Sequence, residues 1–108
     1  AKTSKRYFLS AEVFDAKKAR QLGFIHERVS EEWLADEVAI FCSKIVKNSP
    51  DAVKTCKQLL HDVADAPITD KLIADTVKGI ADIRSSEQGK EGVQAFLQKR
   101  KPDWLTAD

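Results

Sequence analysis

The sequence has no methionine and only two cysteines, three prolines and four glycines among its 108 residues. Cys42 and Cys56 fit no zinc-ligand spacing, so two buried free thiols are expected. No apolar run approaches the about 20 residues that a membrane-spanning helix needs, which predicts a chain without a membrane segment. A signal peptide is also missing, and the cytoplasm is therefore the expected location.

An excess of charge of either sign is missing as well. Eighteen basic residues stand against seventeen acidic ones, giving a net charge of +1, and the two signs are interspersed along the chain. Proteins that bind nucleic acid or an anionic membrane usually carry a basic patch or stripe. Neither nucleic acid nor membrane is therefore an expected partner.

Motifs that would indicate chemistry are missing too. The chain has no glycine-rich phosphate loop, no cluster of metal ligands and no nucleophile elbow. His26 and His61 lie far apart on polar stretches, and His26 fits a solvent-exposed structural role better than that of a general base, because no partner has a fixed spacing to it. No catalytic residue and no metal ligand is identified, and the chain alone is expected to be inactive.

The apolar pattern is helical along most of the sequence. It predicts an all-α fold of about five or six helices, with at most one short extended link over residues 24–29. The predicted helix starts are Asp15, Ser30 with Glu31 and Glu32, Ser49 with Pro50, Thr69, and Ser85 with Ser86. The predicted helix ends are Gly23, Asn48, Arg84 and Pro102. Gly89 and Gly92 weaken a helix intrinsically, so a close approach of backbone is expected there.

Several apolar positions suggest contacts beyond one neighbouring helix. The helix over 69–84 has an apolar face wider than a single stripe, which indicates contact with more than one neighbour. That helix, Trp33 and Trp104 are candidates for subunit packing, and ordinary surface or core positions are the alternative. On the last helix, Gly89, Val93, Phe96, Leu97 and Arg100 are expected to share a face.

Two stretches together carry a family resemblance. The first covers residues 6–27 and contains RYFLSAEVFDA followed by LGFIHE. The second covers residues 80–104 and contains G-x-E-G-x-x-A-F-x-x-K-R-x-P. In this order and at this spacing they resemble the C-terminal part of enoyl-CoA hydratases and isomerases, the crotonase family. Ser10 and Ala11 depart from the family, in which Thr-Gly is common at this turn.

The resemblance implies a division of the chain and a parent enzyme. Residues 1–29 would be the end of a core-domain helix, a short helix and an extended link, and residues 30–108 a C-terminal helical oligomerisation domain. The family's core, which carries the catalytic carboxylates and the oxyanion hole for a thioester enolate, would precede this segment. The parent would form homotrimers or hexamers, take a coenzyme A (CoA) thioester as substrate, and hold no covalently bound cofactor.

The same resemblance assigns two binding residues. If the family's CoA contacts are carried onto the A-F-x-x-K positions of this sequence, Phe96 and Lys99 would lie against the adenosine end of CoA. Residues three apart are neighbours on a helix surface, so an aromatic ring for the purine would lie beside an ammonium for the 3′-phosphate. The alternative is that Phe96 is part of a core and Lys99 is merely solvated.

The predicted function follows from the family. The chain would be the oligomerisation and CoA-edge segment of an acyl-CoA hydratase or isomerase, and RYFLSAE and RKPDW resemble the branch acting on methylglutaconyl-CoA or related branched substrates. A free-standing helical interaction or scaffold module without catalysis is the alternative.

Overall fold

The protein is almost entirely helical in a computed structural model, which describes residues 2–105. Over that range it forms six α-helices, two one-turn 3-10 helices and no strand, which confirms the predicted all-α fold. The α-helices are α1 (Lys2–Ser10), α2 (Ala16–Gln21), α3 (Leu34–Val46), α4 (Pro50–Val63), α5 (Asp70–Ser85) and α6 (Glu87–Leu97). The 3-10 helices are Glu31–Trp33 and Asp103–Leu105. The predicted link over 24–29 is neither helix nor strand.

The chain divides into two compact units, Ala1–Ala39 and Ile40–Asp108. In the second unit α4, α5 and α6 pack against one another, so α5 contacts two neighbouring helices, while Ile73, Val77 and Ile80 of its predicted broad face remain exposed. The functional division between residues 29 and 30 concerns the parent enzyme and stays a prediction. Ala1 and residues 106–108, which belong to the two predicted segments, lie outside the described residues.

Most helices begin at the capping residue that the sequence predicts. A side-chain oxygen accepts a hydrogen bond from the amide three residues later at Asp15, Ser49, Thr69 and Ser86. Such bonds satisfy backbone donors that have no partner within the helix. Ser30 precedes the next helical segment, with Glu31 and Glu32 in its first turn, as predicted, but the predicted hydroxyl cap was wrong, because the hydroxyl lies 3.5 Å from the Glu32 carboxylate and caps no amide. The segment that follows is a 3-10 turn instead of the first turn of α3.

Helix α2 ends at a glycine, as predicted. Gly23 has a φ of +78°, in the left-handed region that residues with a Cβ rarely adopt. Its amide donates to the Arg20 carbonyl at 3.1 Å, and the Phe24 amide donates to the Ala19 carbonyl at 3.0 Å. This pair of bonds is a Schellman motif, which closes the helix end.

Helix α6 ends earlier than predicted. The last helical residue is Leu97, five positions before Pro102. Lys99 has a φ of +53°, so the backbone leaves the helix there without a glycine. Arg100 is consequently not on the helix, and the prediction that it shares a face with Phe96 was wrong.

A cluster of aromatic side chains packs together in the first unit. The Phe14 ring stacks on Phe24 at 5.4 Å and meets the edge of Tyr7 at 4.8 Å between ring centroids. Phe8 lies 6.4 Å from Phe24. Aromatic pairs at these separations attract one another beyond the area that they bury. The cluster therefore connects α1 to the turn and link on either side of α2.

A tight corner joins α5 to α6. A Cβ on Gly89 would lie 2.2 Å from the Ile83 carbonyl oxygen and 2.7 Å from that of Arg84, which confirms the predicted close backbone approach. At Gly92 the close neighbour is instead a side chain, because an added Cβ would lie 3.3 Å from the Trp104 ring. At Gly89 only hydrogen fits against the backbone, whereas at Gly92 the Trp104 ring would have to shift by a few tenths of an ångström.

The described residues enclose very little core. Ala19 and Ala95 alone among them are buried. Cys42 and Cys56 are both exposed, so the prediction of buried thiols was wrong. That prediction assumed that α3 and α4 bury their apolar faces within the chain, and they do not.

Candidate functional site

The two predicted CoA-binding residues lie at the end of α6. Phe96 is in the last turn with 82% of its surface exposed, so it is not part of a core formed by the described residues. The Lys99 amide donates to the Phe96 carbonyl at 3.2 Å, and the Arg100 amide donates to the Ala95 carbonyl at 3.0 Å. These two bonds form a second Schellman motif, with lysine at the position that usually holds glycine.

Phe96 and Lys99 are not paired by the helical spacing that the sequence predicted, because α6 ends between them. Lys99 lies two residues beyond Leu97, so it is not a neighbour of Phe96 on a regular helix surface. The turn, and not helical periodicity, brings their backbones together. Lys99 is exposed, and within residues 2–105 its ammonium has neither an ion pair nor a side-chain hydrogen bond.

A polar network surrounds Lys99 without including its ammonium. Both terminal nitrogens of Arg100 bond to the Glu91 carboxylate, at 2.5 and 2.8 Å, and its Nε donates to Gln98 Oε1 at 2.7 Å. Glu91 Oε1 also accepts from the Asp103 amide at 2.9 Å. The network thus fixes residues before and after Lys99. Sequence reasoning missed it because Glu91 and Arg100 are nine positions apart, which is not a helical pairing distance.

The electrostatics of this network favour the ionised forms. The hydrogen bonds from Arg100 lower the pKa of Glu91 to about 2, with a further contribution from the Asp103 amide. The bonds to Glu91 raise the pKa of Arg100 above its usual value. Glu91 therefore stays charged, and the pair stays formed, at any pH near neutrality.

An apolar depression of about 380 Å³ adjoins Phe96. Its walls include Ala52 of α4, Ile83 of α5, Val93 and Leu97 of α6, and Trp104 of the tail. The Trp104 ring is held by a hydrogen bond from Nε1 to the Lys47 carbonyl at 3.2 Å. The tail after α6 is therefore folded back over the second unit.

Large apolar side chains remain exposed on α3, α4 and α5. They include Leu34, Val38, Phe41 and Val46 of α3, Leu60 of α4, and Ile73, Val77 and Ile80 of α5. Trp33 is 57% exposed, whereas Trp104 is half-buried. A groove of about 490 Å³ lies between α4 and α5 within the second unit. An exposed apolar groove of this kind is typical of an interface with a protein or a ligand.

The two histidines and the possible metal ligands form no site in the described residues. His26 and His61 are both exposed. In the part of the chain that the structure describes, no three His, Cys, Asp or Glu side chains are grouped so as to hold a metal ion. In the same range, none of the helices has both the length and the apolar character needed to cross a membrane.

Comparisons with known proteins agree with the resemblance seen in the sequence. The sequence model of the family described as enoyl-CoA hydratase/isomerase matches residues 1–107. An enoyl-CoA hydratase from Shewanella pealeana superimposes with a TM-score of 0.89 and 38% identity, over 96% of this chain and 38% of that one. A Legionella pneumophila protein described as an enoyl-CoA hydratase/isomerase (crotonase) gives 0.88 and 40%, over 95% of this chain and 40% of that one.

Curated relatives include a mevalonyl-coenzyme A hydratase from Aspergillus fumigatus, which is 29% identical over 89% of this chain and 36% of its own length. The chain therefore spans less than half the length of the proteins that it matches. A family model that matches nearly the whole chain, together with helices that superimpose on solved hydratases, identifies this chain as a member of the enoyl-CoA hydratase/isomerase (crotonase) family.

Proposed function

We propose that this chain is the C-terminal segment of an acyl-CoA hydratase or isomerase, and that it supplies an oligomerisation surface and one edge of the CoA site. One observation carries the second part: Phe96 and Lys99 are adjacent through the turn after α6, and both are exposed. An aromatic face suits the adenine ring, and an ammonium without an ion pair suits a phosphate. The CoA thioester is the substrate of the parent enzyme in this proposal.

The reaction assigned to the parent is the addition of water to an enoyl-CoA thioester or the isomerisation of its double bond. Such chemistry needs hydrogen-bond donors at the developing oxyanion and a carboxylate that moves the proton. We place those groups outside this chain, so the 108 residues alone should not turn over crotonyl-CoA. The branch acting on methylglutaconyl-CoA and the cytoplasmic location stay predictions.

The coding sequence upstream of Ala1 distinguishes this proposal from a free-standing interaction module. An enclosing reading frame of about 150 further residues, the size of one more domain, with a Gly-Gly oxyanion-hole segment supports the enzyme. A start codon at that point contradicts it.

Lys99→Ala in the enclosing enzyme tests the CoA contact. Loss of an ammonium-phosphate contact should raise KM for crotonyl-CoA by about three- to tenfold with little change in kcat. Lys101→Ala is the matched control, because it removes the same charge from an exposed lysine two positions away. Equal KM values for both variants and the unmodified enzyme would contradict the proposed contact.

The oligomerisation surface is tested at Phe41, which is 64% exposed on α3. A trimer or hexamer held through this face should lose mass in light scattering when Phe41→Glu places a charge in a desolvated interface. Lys44→Glu, on the same helix, provides a control for the added negative charge. An unchanged mass for the Phe41 variant would place the interface elsewhere.

A further inference from the structure

The side chains on either side of Lys99, Gln98 and Arg100, form hydrogen bonds, whereas the Lys99 ammonium forms none within residues 2–105. We propose that Glu91 and Arg100 are positioning residues, which fix the turn after α6 so that the Lys99 ammonium can meet the 3′-phosphate of the CoA thioester. This inference rests on the proposed function and assigns it two further residues.

The turn needs external support because of its backbone conformation. Lys99 has a φ of +53°, a region that is sterically unfavourable for residues with a Cβ. After the last helical bond, from the Gln98 amide to the Gln94 carbonyl, the turn itself is closed by two backbone bonds, from the amides of Lys99 and Arg100. Without further contacts, residues 98–101 could adopt an ordinary right-handed or extended conformation, and the ammonium would then point elsewhere.

Glu91 supplies the missing support from within α6. Its two oxygens bind both terminal nitrogens of Arg100, and one of them also accepts from the Asp103 amide. Arg100 donates in addition to the side chain of Gln98 and to the carbonyl of Lys101. A single carboxylate on the rigid helix thereby fixes chain positions on both sides of Lys99.

The same network indicates that Arg100 is not the cation that binds a phosphate. A guanidinium would be the better ligand for a phosphate, because it can donate two parallel bonds. Arg100 instead directs those donors at Glu91, whose side chain is only 18% exposed, so its charge is already balanced. Lys99, next to it in the sequence, has no such partner within residues 2–105.

The test uses the enclosing enzyme and two substrates, crotonyl-CoA and crotonyl-dephospho-CoA, which lacks the 3′-phosphate. Glu91→Gln should raise KM for crotonyl-CoA by about three- to tenfold and leave KM for the dephospho substrate unchanged. Arg100→Lys, which keeps the charge but cannot bind the carboxylate with two parallel bonds, should do the same to a smaller extent. In a Lys99→Ala background, Glu91→Gln should have no further effect on KM.

Glu12→Gln is the matched control, because Glu12 forms an equivalent two-bond pair with Arg6 at 2.9 and 3.1 Å in the first unit. Its KM values should not change. An increase in KM for both substrates on Glu91→Gln would show a general structural role and overturn the inference. If Lys99→Ala selectively raises KM for crotonyl-CoA and Glu91→Gln does not, the inference fails while the proposed CoA contact stands. If Lys99→Ala itself has no effect, the proposed contact has failed, and the inference with it.

Discussion

Replacing Gly89 by alanine should break the corner between α5 and α6. A Cβ at this position would lie 2.2 Å from the Ile83 carbonyl oxygen, and real Cβ atoms essentially never come within 3.0 Å of such an atom. Only Ser86 separates the two helices, so there is little chain to absorb the displacement. Because both colliding groups are backbone, no side chain can turn aside to relieve the clash, and the two helices themselves must move apart by about 1 Å.

The expected change in the free energy of unfolding on Gly89→Ala is the sum of two opposing effects. Overpacking of this kind costs about 1 to 3 kcal/mol and occasionally more, while replacing a helical glycine by alanine contributes up to about 1 kcal/mol. With backbone on both sides of the clash we expect the upper end, a net destabilisation of about 2 kcal/mol. For a chain of this size that lowers Tm by about 10 °C.

Gly79→Ala is the matched control. Gly79 lies within α5, and an added Cβ there would meet nothing within 4 Å. The helix propensity of alanine should then raise Tm by up to about 4 to 8 °C. Thermal unfolding followed by far-UV circular dichroism measures both variants. Equal Tm shifts for the two substitutions would refute the reasoning, since the mutation is the same and only the surroundings differ.

Three further predictions concern a turn and the tail. Ala11→Gly should raise Tm by a few degrees, because Ala11 has a φ of +54° that costs an alanine about 1 kcal/mol, and thermal melts check this. The pKa of Glu91 falls from about 4.5 to about 2 on folding, so the stabilisation by its pair with Arg100 is present above about pH 4.5 and is lost as the pH falls towards 2. The Tm difference between the unmodified chain and Glu91→Gln should therefore shrink over that range, and a constant difference would contradict the assigned pKa. Trp104→Phe removes the donor to the Lys47 carbonyl and should cost about 0.5 to 1.5 kcal/mol in denaturant unfolding, whereas an unchanged midpoint would show that the bond contributes nothing.

Local rules predicted what depends on neighbouring residues. The caps at Asp15, Ser49 and Thr69 follow from a side-chain oxygen that meets an amide three positions later, and the structure confirms each of them. Gly23 ends α2 for an equally local reason, because glycine tolerates a positive φ.

Features that depend on distant residues were predicted wrongly or missed. The end of α6 was assigned to Pro102, because Lys99 carries no sequence signal for a left-handed conformation. The pair of Glu91 with Arg100 forms only after the tail has folded back, so no helical spacing reveals it. The thiol of Cys42 was expected inside a core, and periodicity identifies an apolar face without showing what covers it.

The Gln88 side chain, at the start of α6, forms hydrogen bonds with residues at the start of α4. Its Oε1 accepts from the Ser49 hydroxyl at 2.6 Å and from the Asp51 amide at 3.1 Å, across 39 and 37 positions of sequence. The first turn of α4 is thus completed by a side chain of α6. That side chain reaches α4 only after α5 and α6 have both formed and packed against α4. Long-range closures of this kind are entropically costly and late during folding. A nascent chain that stops short of Gln88 should accordingly show a frayed start to α4, which becomes protected from amide hydrogen exchange only when the last helix has been made.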